Sequence, residues 1–122
     1  MVETKKALSI NIPISVGGPA VVTLMSNQKA QTMVKNILRV GYNEGFLFVT
    51  IETNNSVYKD IPIPVFAQSN FMNGQIIEAG SNVPVNNGGY ITVLKILNIT
   101  ERGIGVLDIN NQSYTGYVIP NI

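Results

Sequence analysis

The sequence predicts an all-β single domain, either a β-sandwich of jelly-roll type or a compact β-barrel, built from two related halves. Three observations predict it. Ile and Val abound while Ala, Leu, Lys and Glu are sparse, a bias toward strands. Gly, Asn and Pro break the apolar runs about every ten residues, the spacing of a sandwich or barrel. The second half also echoes the first: NNSVYKDIPIP at Asn54–Pro64 and NNQSYTGYVIP at Asn110–Pro120 share Asn-Asn, Tyr and Ile-Pro at matching spacing.

Read in order, Met1–Lys6 is an N-terminal arm, followed by strands Ala7–Val16 and Ala20–Met25 around Gly17-Gly18-Pro19. Ser26–Gly41 carries two signals. Ala30, Met33, Val34, Ile37 and Leu38 fall at helical spacing, with Ser26 placed to cap the start and Gly41 just past the end. Its counterpart in the second half, Tyr90–Ile99, alternates as a strand, with Ile91, Val93, Leu97 and Ile99 on one face. Val34, Leu38, Val40 and Tyr42 would form the matching face. We therefore read a strand here, leaving room for at most one short helix near 27–40.

Further strands are expected at Phe46–Thr53, Val57–Ile63, Ile76–Glu78, Tyr90–Thr100, Gly105–Ile109 and Tyr114–Ile119. The turns between them use Asn43-Glu44-Gly45, Asn54-Asn55, Asn73-Gly74, Asn86–Gly89, Glu101–Gly103 and Asn110-Asn111. Asn suits such places because it tolerates positive φ and bonds its own backbone. The halves run 18–64 and 74–120. Gly18, Val21-Val22, Ser26-Asn27, Ile37-Leu38, Gly45 and Asn54-Asn55 meet Gly74, Ile76-Ile77, Ser81-Asn82, Ile96-Leu97, Gly103 and Asn110-Asn111 in the same order.

The 122 residues fit one domain, 1–122, with enough material for a core. Charged residues are only 12 % of the chain, against about 25 % in ordinary soluble proteins. Such a chain covers its surface with neutral polar groups, here fifteen Asn, or buries part of it against other subunits. The net charge is +1 with no basic patch, which argues against nucleic acid as a partner. No apolar run is long enough to span a membrane, and ALSINIPISVGGPAVVTLM is too broken for a signal core. The sequons at Asn54, Asn98 and Asn111 carry little weight without one.

Chemistry is poorly provided for. The chain has no His and no Cys, which removes the commonest general base, thiolate chemistry and ordinary zinc sites. No Gly-x-Ser-x-Gly elbow is present. Of the seven carboxylates, Glu44 and Glu101 fall in hairpin turns and Asp108 opposite Thr50 in the repeat, a solvent-facing place. Calcium-loop spacing is missing, and Gly17-Gly18 and Gly88-Gly89 read as turns rather than phosphate cradles. We expect no catalytic residues, no metal and no cofactor. Tyr42, Phe46 and Phe48 could form a stacking platform for single-stranded nucleic acid, but without a basic groove they read better as packing residues.

The prolines point to assembly. Five of six follow Ile or Val, which holds the preceding residue extended while Pro itself withholds a donor from the sheet. Such units suit blunted edges or arms on a neighbour. The candidate inter-subunit contacts are Lys5, Lys6, Ile12, Pro13, Ile14, Ile61, Pro62, Ile63 and Pro64. In general character the chain is similar to small virion proteins of bacteriophages, such as head decoration or tail components. That resemblance implies a non-enzymatic structural protein of the virion, cytoplasmic before assembly, whose partners are further copies of itself or other virion subunits. A carbohydrate- or protein-binding β module using Asn-rich loops is the alternative, and a nucleic-acid-binding barrel the second. No small-molecule substrate and no membrane partner are expected.

Overall fold

The computed structural model describes residues 3–64, 74–84, 89–100 and 103–117. Within them the chain is all-β, without a helix. It folds as β1 (Glu3–Lys5), β2 (Ala7–Ile10), β3 (Ile14–Ser15), β4 (Pro19–Leu24), β5 (Lys29–Met33), β6 (Asn36–Asn43), β7 (Phe46–Glu52), β8 (Ser56–Pro64), β9 (Gln75–Glu78), β10 (Asn82–Pro84), β11 (Tyr90–Thr100), β12 (Gly103–Asp108) and β13 (Ser113–Tyr117). A large mixed sheet runs in the order β1-β8-β7-β6-β11-β12-β13, with β9 added to β6 and β3 and β10 added to β11. A small sheet, β2-β4-β5, contributes Ala7, Ile10, Ala20 and Val22 to the same buried cluster as Ile51, Ile61, Ile96, Ile99 and Ile104 of the large one.

Ser26–Gly41 resolves as strand. Ser26 sits in a tight turn in which Asn27, at φ 70°, bonds back to the Leu24 carbonyl, and β5 and β6 follow it. The helical spacing was produced by two strands meeting at Val34, which is buried. The predicted face is corrected in detail. Leu38 is 41 % exposed and Leu97 half-buried, while Ile37 and Ile96 take the core positions. The cause is a register shift at Ile37/Arg39 and another at Ile96/Asn98. A bulge adds one residue and turns every side chain beyond it to the other face.

These shifts belong to a wider pattern. Ile37 pairs with Ile96 in antiparallel register where β6 meets β11, so like positions of the two halves face each other across a local twofold axis. Outward from this axis the order β6-β7-β8 is matched by β11-β12-β13. Ile51 pairs with Tyr58 as Val106 pairs with Tyr114, and both ladders then shift register. Inward, β9 lies on β6 with Ile77 opposite Val40, and β3 lies on β11 with Ile14 opposite Ile99. Gly17 N–H donates to the Val34 carbonyl and Gly80 N–H to that of Val93, at 2.7 and 2.8 Å.

The correspondence corrects the sequence alignment at its N-terminal side. Gly17 matches Gly80, not a residue near Gly74, and Ser26-Asn27 of the β4–β5 turn does not match Ser81-Asn82, which leads into β10. Three other expectations change. Ala7–Val16 breaks into β2 and β3. Part of the N-terminal arm, Glu3–Lys5, pairs in parallel with Ser56–Tyr58 of its own chain. Asp108 is buried, at 2 % exposure. The expected turns at Asn73, at Asn86–Gly88 and at Glu101-Arg102 lie outside the described residues, as do Val118–Ile122.

Candidate functional site

The two halves differ most in the hairpin next to the axis. Ten residues separate Arg39 from its partner Thr50, whereas six separate Asn98 from Gly105. The β6–β7 hairpin is therefore four residues longer, and the added length carries Tyr42, Asn43, Phe46 and the turn Glu44-Gly45, both at positive φ. Alternation sends Leu47 and Val49 into the core and Phe46 and Phe48 to the opposite face. Their rings stand 6.3 Å apart, tilted at 42°.

On that outer face, Gly41 lies in register between Phe48 of β7 and Ile76 of β9. With no side chain at Gly41, the two flanking residues leave a depression. A second irregularity shapes one wall. Val49 pairs with Ile61 and Ile51 with Tyr58, so Lys59 and Asp60 together oppose Thr50. Asp60 adopts φ 54°, and its N–H donates to the Thr50 hydroxyl at 3.2 Å. A left-handed residue at a bulge re-aims its side chain, and Asp60 lines the same depression as Arg39. The result is an open cavity of about 380 Å³ lined by Arg39, Gly41, Tyr42, Asn43, Phe48, Asp60, Gly74 and Ile76.

Arg39 is half-buried, and its Nε is enclosed without a hydrogen-bond partner. Glu78 is its cross-strand neighbour and Asp60 shares the cavity. The guanidinium thus has a carboxylate-bearing residue as strand neighbour and another in the same cavity wall. The matching residue of the other half, Asn98, also has a buried atom, Oδ1, with no partner. Asn98 lies so close over Gly105 that a Cβ there would collide with its amide. Where the first half has an open cavity, the second has a short hairpin and a side chain lying on a glycine.

The nine candidate contact residues are not brought together. Lys5 and Lys6 are exposed, Pro13 is exposed and Ile12 half-buried. Ile14, Ile61 and Ile63 are buried in the chain's own core at 1, 0 and 3 % exposure, so their side chains are not available to a partner. Pro62 is half-buried, and Pro64 ends β8. Because Pro62 and Pro64 alternate, the ladder to β7 runs on the N–H groups of Ile61 and Ile63, and the other side of this stretch has no donor. It is a blunted edge. Of the proposed stacking trio, Phe46 and Phe48 are neighbours on the outer face, whereas Tyr42 packs against the core.

Sequence reasoning missed Arg39, Asp60 and Ile76 as a group. Their signal was indirect: the insertion separating the two hairpins, once the halves are aligned by register. Among the described residues no three His, Cys, Asp or Glu side chains gather into a metal-binding set. Comparison with protein-family models, with curated proteins and with solved structures finds no match.

Proposed function

We propose that this protein is a non-enzymatic structural protein that assembles with further copies of itself, in the manner of a virion component such as a capsid decoration or head–tail protein. In this reading it acts in the virion, and in the cytoplasm before assembly. Its two sheets are the layers of a β-sandwich, and its halves, 18–64 and 74–120 with their flanking strands, are a duplication. One observation carries the reading: the face of the large sheet opposite the core exposes Leu38, Phe46, Ile76 and Leu94, each more than 40 % accessible. Leu38 and Leu94 stand on β6 and β11, the two strands that meet at the local axis. A small chain with 12 % charged residues and net charge +1 has little electrostatic repulsion to oppose self-contact there. The blunted β8 edge turns assembly away from strand addition and toward this face.

Light scattering across a dilution series tests the proposal. The chain should hold a fixed mass that is a multiple of 13.2 kDa, and Leu38→Lys combined with Leu94→Lys should lower it to the monomer. A monomer at every concentration would refute self-assembly.

The cavity favours a second reading, a carbohydrate-binding module.

A further inference from the structure

We propose that the cavity walled by Phe48, Ile76, Arg39 and Asp60 binds one sugar unit of a neutral oligosaccharide. This deepens the second reading and competes with assembly through the same face, since Ile76 belongs to both surfaces. About 380 Å³ lies within the range of small-ligand pockets and leaves room for a single ring with part of a neighbour. Charge selects the class. A phosphate or carboxylate attracted by Arg39 would meet the carboxylate of Asp60, while an ammonium drawn to Asp60 would meet the guanidinium. A neutral ligand that both donates and accepts suits both.

Vicinal hydroxyls do so. Arg39 supplies donors only, Asp60 acceptors only, and Asn43 one group of each kind. Arg39 lines the cavity with its Nε enclosed, so a ligand hydroxyl would meet the terminal N–H groups of the guanidinium. The Phe48 ring and Ile76 offer an apolar wall for the C–H face of the sugar, while Gly41 keeps the floor open. All of this sits on the hairpin extension that the other half lacks. The duplicated framework is common to both halves, and the cavity is particular to one.

The test is amide-resolved NMR of the full chain titrated with the methyl glycosides of glucose, galactose, mannose, rhamnose and N-acetylglucosamine. Adenosine and inorganic phosphate serve as rival probes. At least one glycoside should give saturable shifts at Gly41, Asn43 and Gly74, and Arg39→Gln and Asp60→Asn should each weaken it about tenfold, as the loss of a charge-assisted hydrogen bond does. Asn accepts the left-handed backbone of position 60, so this variant keeps the bulge. No shift at these amides with any of the five sugars overturns the proposal. So does a response to adenosine or phosphate alone, or an affinity unchanged in both variants.

Discussion

Asp108 and Thr53 perform one task with different chemistry. Each closes the turn of the second hairpin of its half, and each is buried. Thr53 uses its hydroxyl, which accepts from Ser56 N–H at 3.1 Å while its own N–H donates to the Ser56 carbonyl. Asp108 uses Oδ1, which accepts from the N–H groups of both Asn110 and Gln112 at 2.9 Å, while its N–H donates to the Gln112 carbonyl. Removing such an acceptor leaves its donors without their protein partner, at about 1–3 kcal/mol. Asp108→Ala should therefore cost about 2–3 kcal/mol and Thr53→Ala about 1 kcal/mol. Asp108→Asn, which keeps an oxygen in place, should cost less than Asp108→Ala. Urea unfolding checks this through the midpoints, provided the slopes do not change. The sequence placed Asp108 opposite Thr50 because the halves were aligned without the four-residue difference in hairpin length. A carboxylate two residues before Asn110 was a turn signal in its own right.

At the scale of elements, most strands were legible, β1 and β10 excepted, and strand faces were not. Tyr90–Thr100 was read to the residue, because eleven residues of alternating and β-branched character have no competing explanation. The faces of β6 and β11 failed where the bulges lie, since strict alternation cannot foresee an extra residue. Gly17 was legible as a turn, whereas Gly80 was read neither as a turn nor as its counterpart. Gly17 and Gly80 sit at φ 85° and 91° and make the same hydrogen bond to matching valines. A Cβ at either would meet no atom within 4 Å, so the penalty of a substitution is conformational alone, about 1–2 kcal/mol. Gly17→Ala and Gly80→Ala should each lose that much, and the two losses should agree within about 0.5 kcal/mol. Thermal unfolding of the two variants side by side would show a mismatch if their roles differ.

The whole molecule is held together by exchange between its halves. β3 precedes the first trio of strands in sequence but lies on β11, while β9 precedes the last trio but lies on β6. Ile14 is 1 % exposed where it pairs with Ile99, and Ile77 is 1 % exposed where it pairs with Val40. The first strand of each half finds its ladder partner in the other half. The echo between Asn54–Pro64 and Asn110–Pro120 suggested two halves, but a crossing of strands between them leaves no trace in the sequence of either. Two fragments divided between Pro64 and Gly74 should each lack cooperative unfolding, for a half on its own exposes the Ile37 or Ile96 seam and forfeits the exchanged strand. Mixed at equal concentration, they should recover the strand signal in far-ultraviolet circular dichroism and one unfolding transition, with a midpoint that rises with concentration. A fragment that unfolds cooperatively alone, with the same midpoint whether or not its partner is added, would show that the exchanged strands are decoration on two independent units.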